Sequence, residues 1–153
     1  MNASNFDELE RQVEELFDKA DNLMINLKNF QEAKQIYSSI LEMDPDNIDA
    51  LNSTATCIKN TSGPDQDFFP ACLDLYQRAL ELDPEDFETN FNIGILYYTE
   101  TPSNKKDALK AIHYLKIAIA EERSATVMFN LAVIYEEQGE RGQAKEMYQE
   151  VSN

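Results

Sequence analysis

Apolar residues recur at three- and four-residue intervals along almost the whole chain. The runs are Phe6 to Leu27, Phe30 to Met43, Ile48 to Ile58, Ala71 to Leu82, Phe87 to Tyr98, Ala108 to Ala120, Val127 to Tyr135 and Ala144 to Val151. Such spacing lines one face of a helix, and no stretch alternates with period two over a useful length. The breaks carry helix-ending chemistry. Pro45, Pro84 and Pro102 fall between the predicted helices, and Gly63, Gly139 and Gly142 sit at or beside turns. Pro70 suits a first helical turn, where its missing N–H has no helical partner to lose. Ser4, with Asp7 three residues on, predicts a capping box at the first helix. The pattern predicts an all-α fold of about eight helices.

The helices repeat in pairs. The segments Phe91 to Tyr97 and Phe129 to Tyr135 agree position by position in chemical type at a separation of 38 residues. Tyr37 to Asp46 and Tyr76 to Glu85 agree in the same way, 39 residues apart. Two independent segments with nearly one period mark an array of similar units.

These units resemble the tetratricopeptide repeat, whose pattern is W-x2-L-G-x2-Y in a first helix and A-x3-F-x2-A with a terminal Pro in a second. The first unit, about 14–47, shows Phe17, Ala20 and Met24, then Ala33, Tyr37, Ile40 and Pro45. The second, about 48–86, shows Leu51, Thr54, Ala55 and Ile58, then Cys72, Tyr76, Ala79 and Pro84. Asn90, Ile93, Gly94, Tyr97, Ala111, Leu115 and Ala118 carry the third, about 87–124. Met128, Leu131, Ala132, Tyr135, Ala144, Tyr148 and Val151 carry the fourth, about 125–153. No unit has the Trp, and the middle two are 39 and 38 residues long, with the extra residues around Thr61 to Asp67 and Thr101 to Lys106. Loops absorb such insertions at small entropic cost. The third unit and the segment Ser124 to Leu131 also resemble the related Sel-one-like repeat. The resemblance implies a right-handed superhelical α-solenoid of about four helix-turn-helix repeats. It covers 1–153 as one domain, with an N-terminal helix extension at 4–13.

In this family the first helices line a concave groove that receives protein or peptide partners. The residues so placed here are Asn22, Asp49, Asn52, Glu88, Phe91, Asn92, Ile95, Tyr98, Phe129, Asn130 and Val133. The groove implied is acidic and amide-rich at its N-terminal end and apolar-aromatic at its C-terminal end. Asn92 and Asn130 are suited to bonding a peptide backbone, and Phe91, Ile95, Tyr98, Phe129 and Val133 to receiving an apolar anchor. A plainer alternative stands beside this one, in which the aromatics fill the interior and the Asn residues face water.

Charge narrows the partners. With 29 acidic against 13 basic residues, net −16, the chain is poorly suited to nucleic acid or anionic lipid. Residues 1–47 carry net −7, 48–86 net −6, 87–124 zero and 125–153 net −3, so a basic partner is drawn to the first two units. Family members that grip the acidic C-terminal tail of heat-shock chaperones use a clamp of Lys, Arg and Asn. Its positions fall here on Asp18, Asn22, Ser53, Glu88 and Asn92, and only Asn22 keeps the required type, which argues against that activity.

Catalytic chemistry is scarce. His113 is the only histidine, expected to face solvent on a second helix, and Cys57 and Cys72 read as buried apolar residues. No disulfide framework, metal site, cofactor loop or catalytic residue is expected. Asp44 to Asn47 and Asp83 to Asp86 read as inter-repeat turns, with Asp46 and Glu85 near helix starts. Free thiols, no apolar run of membrane length and no leader in Met1 to Asp7 point to the cytoplasm or nucleus, and a cytoplasmic location is expected. The reading is a non-enzymatic adaptor. Its alternative is a structural subunit of a larger assembly, such as a cytoskeletal or ciliary one. That subunit would dock through its convex face and its C-terminal end, where partly uncovered Met147 and Tyr148 also permit self-association.

Overall fold

A computed structural model describes residues 3–153; the leader reading rests in part on Met1 and Asn2, which lie outside the described residues. Among the described residues all regular structure is helical, apart from one isolated bridge between Thr101 and Asn104. The helices are α1 (Ala3–Asp21), α2 (Phe30–Met43), α3 (Ile48–Thr61), α4 (Phe69–Leu82), α5 (Phe87–Tyr97), α6 (Ala108–Glu121), α7 (Ala125–Glu137) and α8 (Arg141–Ser152). Pro70 lies in the first turn of α4, as its chemistry requires.

Helix starts are fixed by local polar bonds. Asn29, Asn47, Asp86, Asp107 and Ser124 each accept the N–H three residues on, satisfying one of the donors a helix leaves open. Asp46 and Glu85 stand one residue before the residues that cap. Ser4 is already helical, so the predicted capping box at Ser4 and Asp7 is not how α1 begins.

The first helix ends differently from a plain α-helix. Asn22–Asn26 form a π-helical turn, in which the Leu27 N–H donates to the Asn22 carbonyl five residues back at 3.2 Å. Lys28 then takes φ 53°, the left-handed region, and the Asn29 N–H closes onto the Leu23 carbonyl at 2.8 Å. The inter-repeat turns after α2 and α4 are tied by Asn47 N–H to Asp44 O at 3.2 Å and Asp86 N–H to Asp83 O at 3.3 Å. The buried Asn90 side chain adds bonds to the carbonyls of Pro84 (3.0 Å) and Asp86 (2.9 Å).

The chain divides into two compact units, Met1–Leu82 and Asp83–Asn153, each holding two helical hairpins. In the first, α2 packs on α1 and α3, and α3 on α4; in the second, α6 packs on α5 and α7, and α7 on α8. Every hairpin buries a small residue from each of its helices: Ala20 and Ala33, Ala55 and Cys72, Gly94 and Ala111, Ala132 and Ala144. The approach is direct at Cys72, whose thiol donates to the Ala55 carbonyl at 3.4 Å. The core of the first unit centres on Tyr37, Ile40, Leu23 and Cys57, and that of the second on Leu115, Leu131, Ile134 and Val127. Tyr37 is fully buried, yet its hydroxyl reaches the Asp21 carboxylate. The long loop after α5 is also held: Asn104 Nδ2 donates to Thr99 O at 2.8 Å and Tyr97 O at 3.4 Å.

Gly94 marks the tightest contact. A Cβ there would lie 2.7 Å from Leu115 Cγ and 3.2 Å from the Ala111 carbonyl. Leu115 Cγ is a branch point in the core rather than the free end of a flexible chain, so it cannot swing aside. Gly94→Ala gains helix propensity of about 1 kcal/mol, yet overpacking costs about 1–3 kcal/mol. We expect net destabilisation, read as a lower urea midpoint with unchanged slope, whereas the same change at the open Gly142 is stabilising or neutral.

Candidate protein-interaction site

In the second unit, Glu88, Phe91, Asn92 and Ile95 recur along one side of α5, and Phe129, Asn130, Val133 and Glu137 along one side of α7. The Tyr98 hydroxyl, at the C-cap of α5, donates to Glu137 Oε2 at the end of α7 and so joins the C-terminal ends of the two helices. Lys106 Nζ stands 4.7 Å above the Tyr98 ring.

The aromatics divide between the two readings drawn from sequence. Phe91, Ile95 and Tyr98 are half-buried and pack against the core of the unit, Phe91 stacking on Phe87 with centroids 6.4 Å apart. Phe129 is 52% exposed, its ring edge-to-face with Tyr148 at 6.0 Å. Val133, Asn92 and Asn130 are half-buried, and Asn130 Nδ2 donates to the Thr126 carbonyl at 2.8 Å. Glu88 is exposed.

In the first unit the expected amide-rich floor is only partly there. Asn22 is exposed, but its side-chain oxygen accepts from Asn26 Nδ2 at 2.8 Å within the π-helical turn. Asp49 is exposed in the first turn of α3. Asn52 is a correction: it is fully buried, with Nδ2 on the Ile48 carbonyl at 3.2 Å, and is no part of a surface. Its helix packs on both α2 and α4, so α3 buries residues on most of its circumference.

A cleft of about 500 Å³ in the first unit was not anticipated, lined by Phe6, Leu9, Val13 and Phe17 of α1 with Met43 and Pro45. The sequence signal for it is the apolar stripe of α1, which runs N-terminal of the first repeat.

Remaining groups are quiet. Cys57 and Cys72 are both buried, and burial pushes each thiol up to about 11, so neither is a thiolate near neutrality. His113 is exposed, its ring edge-on to Tyr114 at 5.0 Å. Among the described residues no group of His, Cys, Asp and Glu could hold a metal ion, and no helix is long and apolar enough to cross a membrane.

Burial, and then the bond to Glu137, push the Tyr98 hydroxyl up to about 12. A folded-state value above that of the unfolded chain favours folding fully below the ordinary tyrosine range of about 10, and this is lost as pH rises through the folded value. Tyr98→Phe therefore removes one late-titrating phenol from the ultraviolet phenolate titration. It also makes stability fall less steeply above about pH 10; loss of a phenol that titrates in the ordinary tyrosine range, with the late step kept, rules out the bond.

Paired helices closing on small residues, with a half-exposed aromatic and amide face, make up the helical hairpins of a protein-interaction module. Tetratricopeptide-repeat family models match the chain at 16–47 and at 126–153, so a tetratricopeptide repeat stands near each end of it. Among solved structures, a crystal structure of MamA is similar at 20% identity and TM-score 0.68, over 86% of this chain and 71% of that one. MamA 41-end from Desulfovibrio magneticus RS-1 is similar at 16% identity and TM-score 0.70, over 92% and 73%. YrrB, described as a TPR protein with an unusual peptide-binding site, is similar at 21% identity and TM-score 0.63, over 97% and 78%. At these identities the likeness is one of fold. No curated protein matches the chain.

Proposed function

We propose that the chain is a non-enzymatic adaptor whose second unit takes a partner segment along the α5 and α7 faces. The observation that carries this is Phe129, a large apolar side chain 52% exposed beside Val133 and Asn130. A partner of matching chemistry brings one large apolar side chain to Phe129 and Val133 and a backbone for Asn92 and Asn130. The peptide-binding site named for YrrB makes this a fold-level analogy as well. Buried, protonated thiols accord with a cytoplasmic setting. A peptide array probed with the wild type and with Phe129→Ser and Asn92→Ala plus Asn130→Ala tests the reading. Loss of most bound spots in both variants supports it, and an unchanged pattern removes it.

A second reading, the subunit of a larger assembly, is favoured by the hollow between α7 and α8, lined by Glu136, Arg141, Ala144, Lys145, Tyr148 and Gln149. Tyr148 is half-buried there, its hydroxyl on Glu136 at 3.0 Å. Light scattering on the purified chain separates the two: a stable monomer supports the adaptor, and aggregation relieved by Tyr148→Ser supports the subunit.

A further inference from the structure

The first helix is longer than the helix packed on it. α1 has 19 residues and continues through a π-helical turn of 5, whereas α2 has 14. At 1.5 Å per residue the first helix outreaches its partner by about 15 Å. The apolar stripe does not stop where α2 does. Phe6, Leu9, Val13 and Phe17 carry it to the N-terminal turns, and together with Met43 and Pro45 they line the cleft of about 500 Å³. Phe6 is 59% exposed.

The rim of this cleft is negative and uncompensated. Glu10, Glu14 and Asp44 edge it. The nearby cation, Arg11, is already engaged by Glu8 at 2.8 Å and by Glu15, neither of which lines the cleft. Among the described residues Glu10 and Glu14 make no ion pair. Set four apart on one helix, they repel each other, an arrangement that helix stability alone disfavours. An apolar floor with an uncompensated acidic rim is complementary to a helix that is apolar on one side and basic on its flanks.

We infer that this cleft docks a short amphipathic helix of a protein partner. Its one or two large apolar side chains seat on Phe6, Leu9, Val13 and Phe17, and its Lys or Arg residues face Glu10, Glu14 and Asp44. A second copy of this chain is the poorer occupant, because two chains of net −16 repel. The surface shares no residue with the α5 and α7 faces of the second unit, so either stands if the other fails.

The probe is a labelled leucine–lysine peptide about four helical turns long, patterned at the helical period, beside a scrambled peptide of the same composition. Binding is measured by anisotropy at physiological salt on the full chain. The patterned peptide is expected to bind about tenfold more tightly than the scrambled one. Phe6→Ser with Leu9→Ser abolishes that margin, and Glu10→Gln with Glu14→Gln weakens both binding and its salt dependence. Phe6→Ser alone, at an exposed position, serves if the double variant unfolds. Equal binding of the two peptides, or a margin kept in the Ser variants, overturns the inference. So does a wild-type dimer, seen by light scattering without peptide, that Phe6→Ser dissolves, since that gives the cleft to a second copy.

Discussion

The closeness of paired helices is the constraint on which the rest depends. Ridges and grooves of two helices mesh at about 8–10 Å between axes, and the lower end of that range demands residues with almost no side chain at the crossing. Ala, Cys and Gly meet the demand in all four hairpins. Gly94 does so where even a methyl group would meet Leu115 Cγ at 2.7 Å. Once the backbones are that near, the larger residues one turn away, Tyr37 and Tyr76 in the first unit and Leu115 and Tyr135 in the second, fill the space on either side. Residues on the far side of each helix are thereby turned outward, and the surface chemistry follows from the packing rather than alongside it.

Much of this was legible in the sequence because it is periodic. Helix number, the positions of the turns, the buried cysteines and the small-residue pairs all follow from spacing, which local chemistry and packing both respect. The exceptions share a cause. The π-helical turn at Asn22–Asn26 sits where the chain passes from α1 towards α2, and no pattern within its five residues marks it. Asn52 occupies the place in its repeat that Phe91 and Phe129 occupy in theirs, yet α3 is flanked on both sides and the amide is enclosed. Ser4 resembles a cap, but the helix was already under way. In each case the deciding factor lies beyond the local window of residues.

The candidate site was less legible than the fold for the same reason. A repeat pattern says which residues are not used for packing between paired helices. It does not say how far a half-buried aromatic sinks. Phe91 and Phe129 hold equivalent positions, but Phe91 stacks on Phe87 and joins the core, while Phe129 has one aromatic edge against it and remains half in water. The difference is set by what precedes each: Phe87 lies four residues before Phe91, whereas Ala125 lies four before Phe129. The hydrogen bond from Tyr98 to Glu137 spans 39 residues and belongs to no local pattern.

The loop between α5 and α6 has a wider consequence. Its added residues are drawn in by Asn104, which fastens them to the carbonyls of Tyr97 and Thr99. Because the helices find their register through Gly94 and Ala111, the length of the connection between them is mechanically uncoupled from the hairpin it joins. Repeat length in such a protein is then a free variable. New side chains can be added at one edge without altering how any two helices meet.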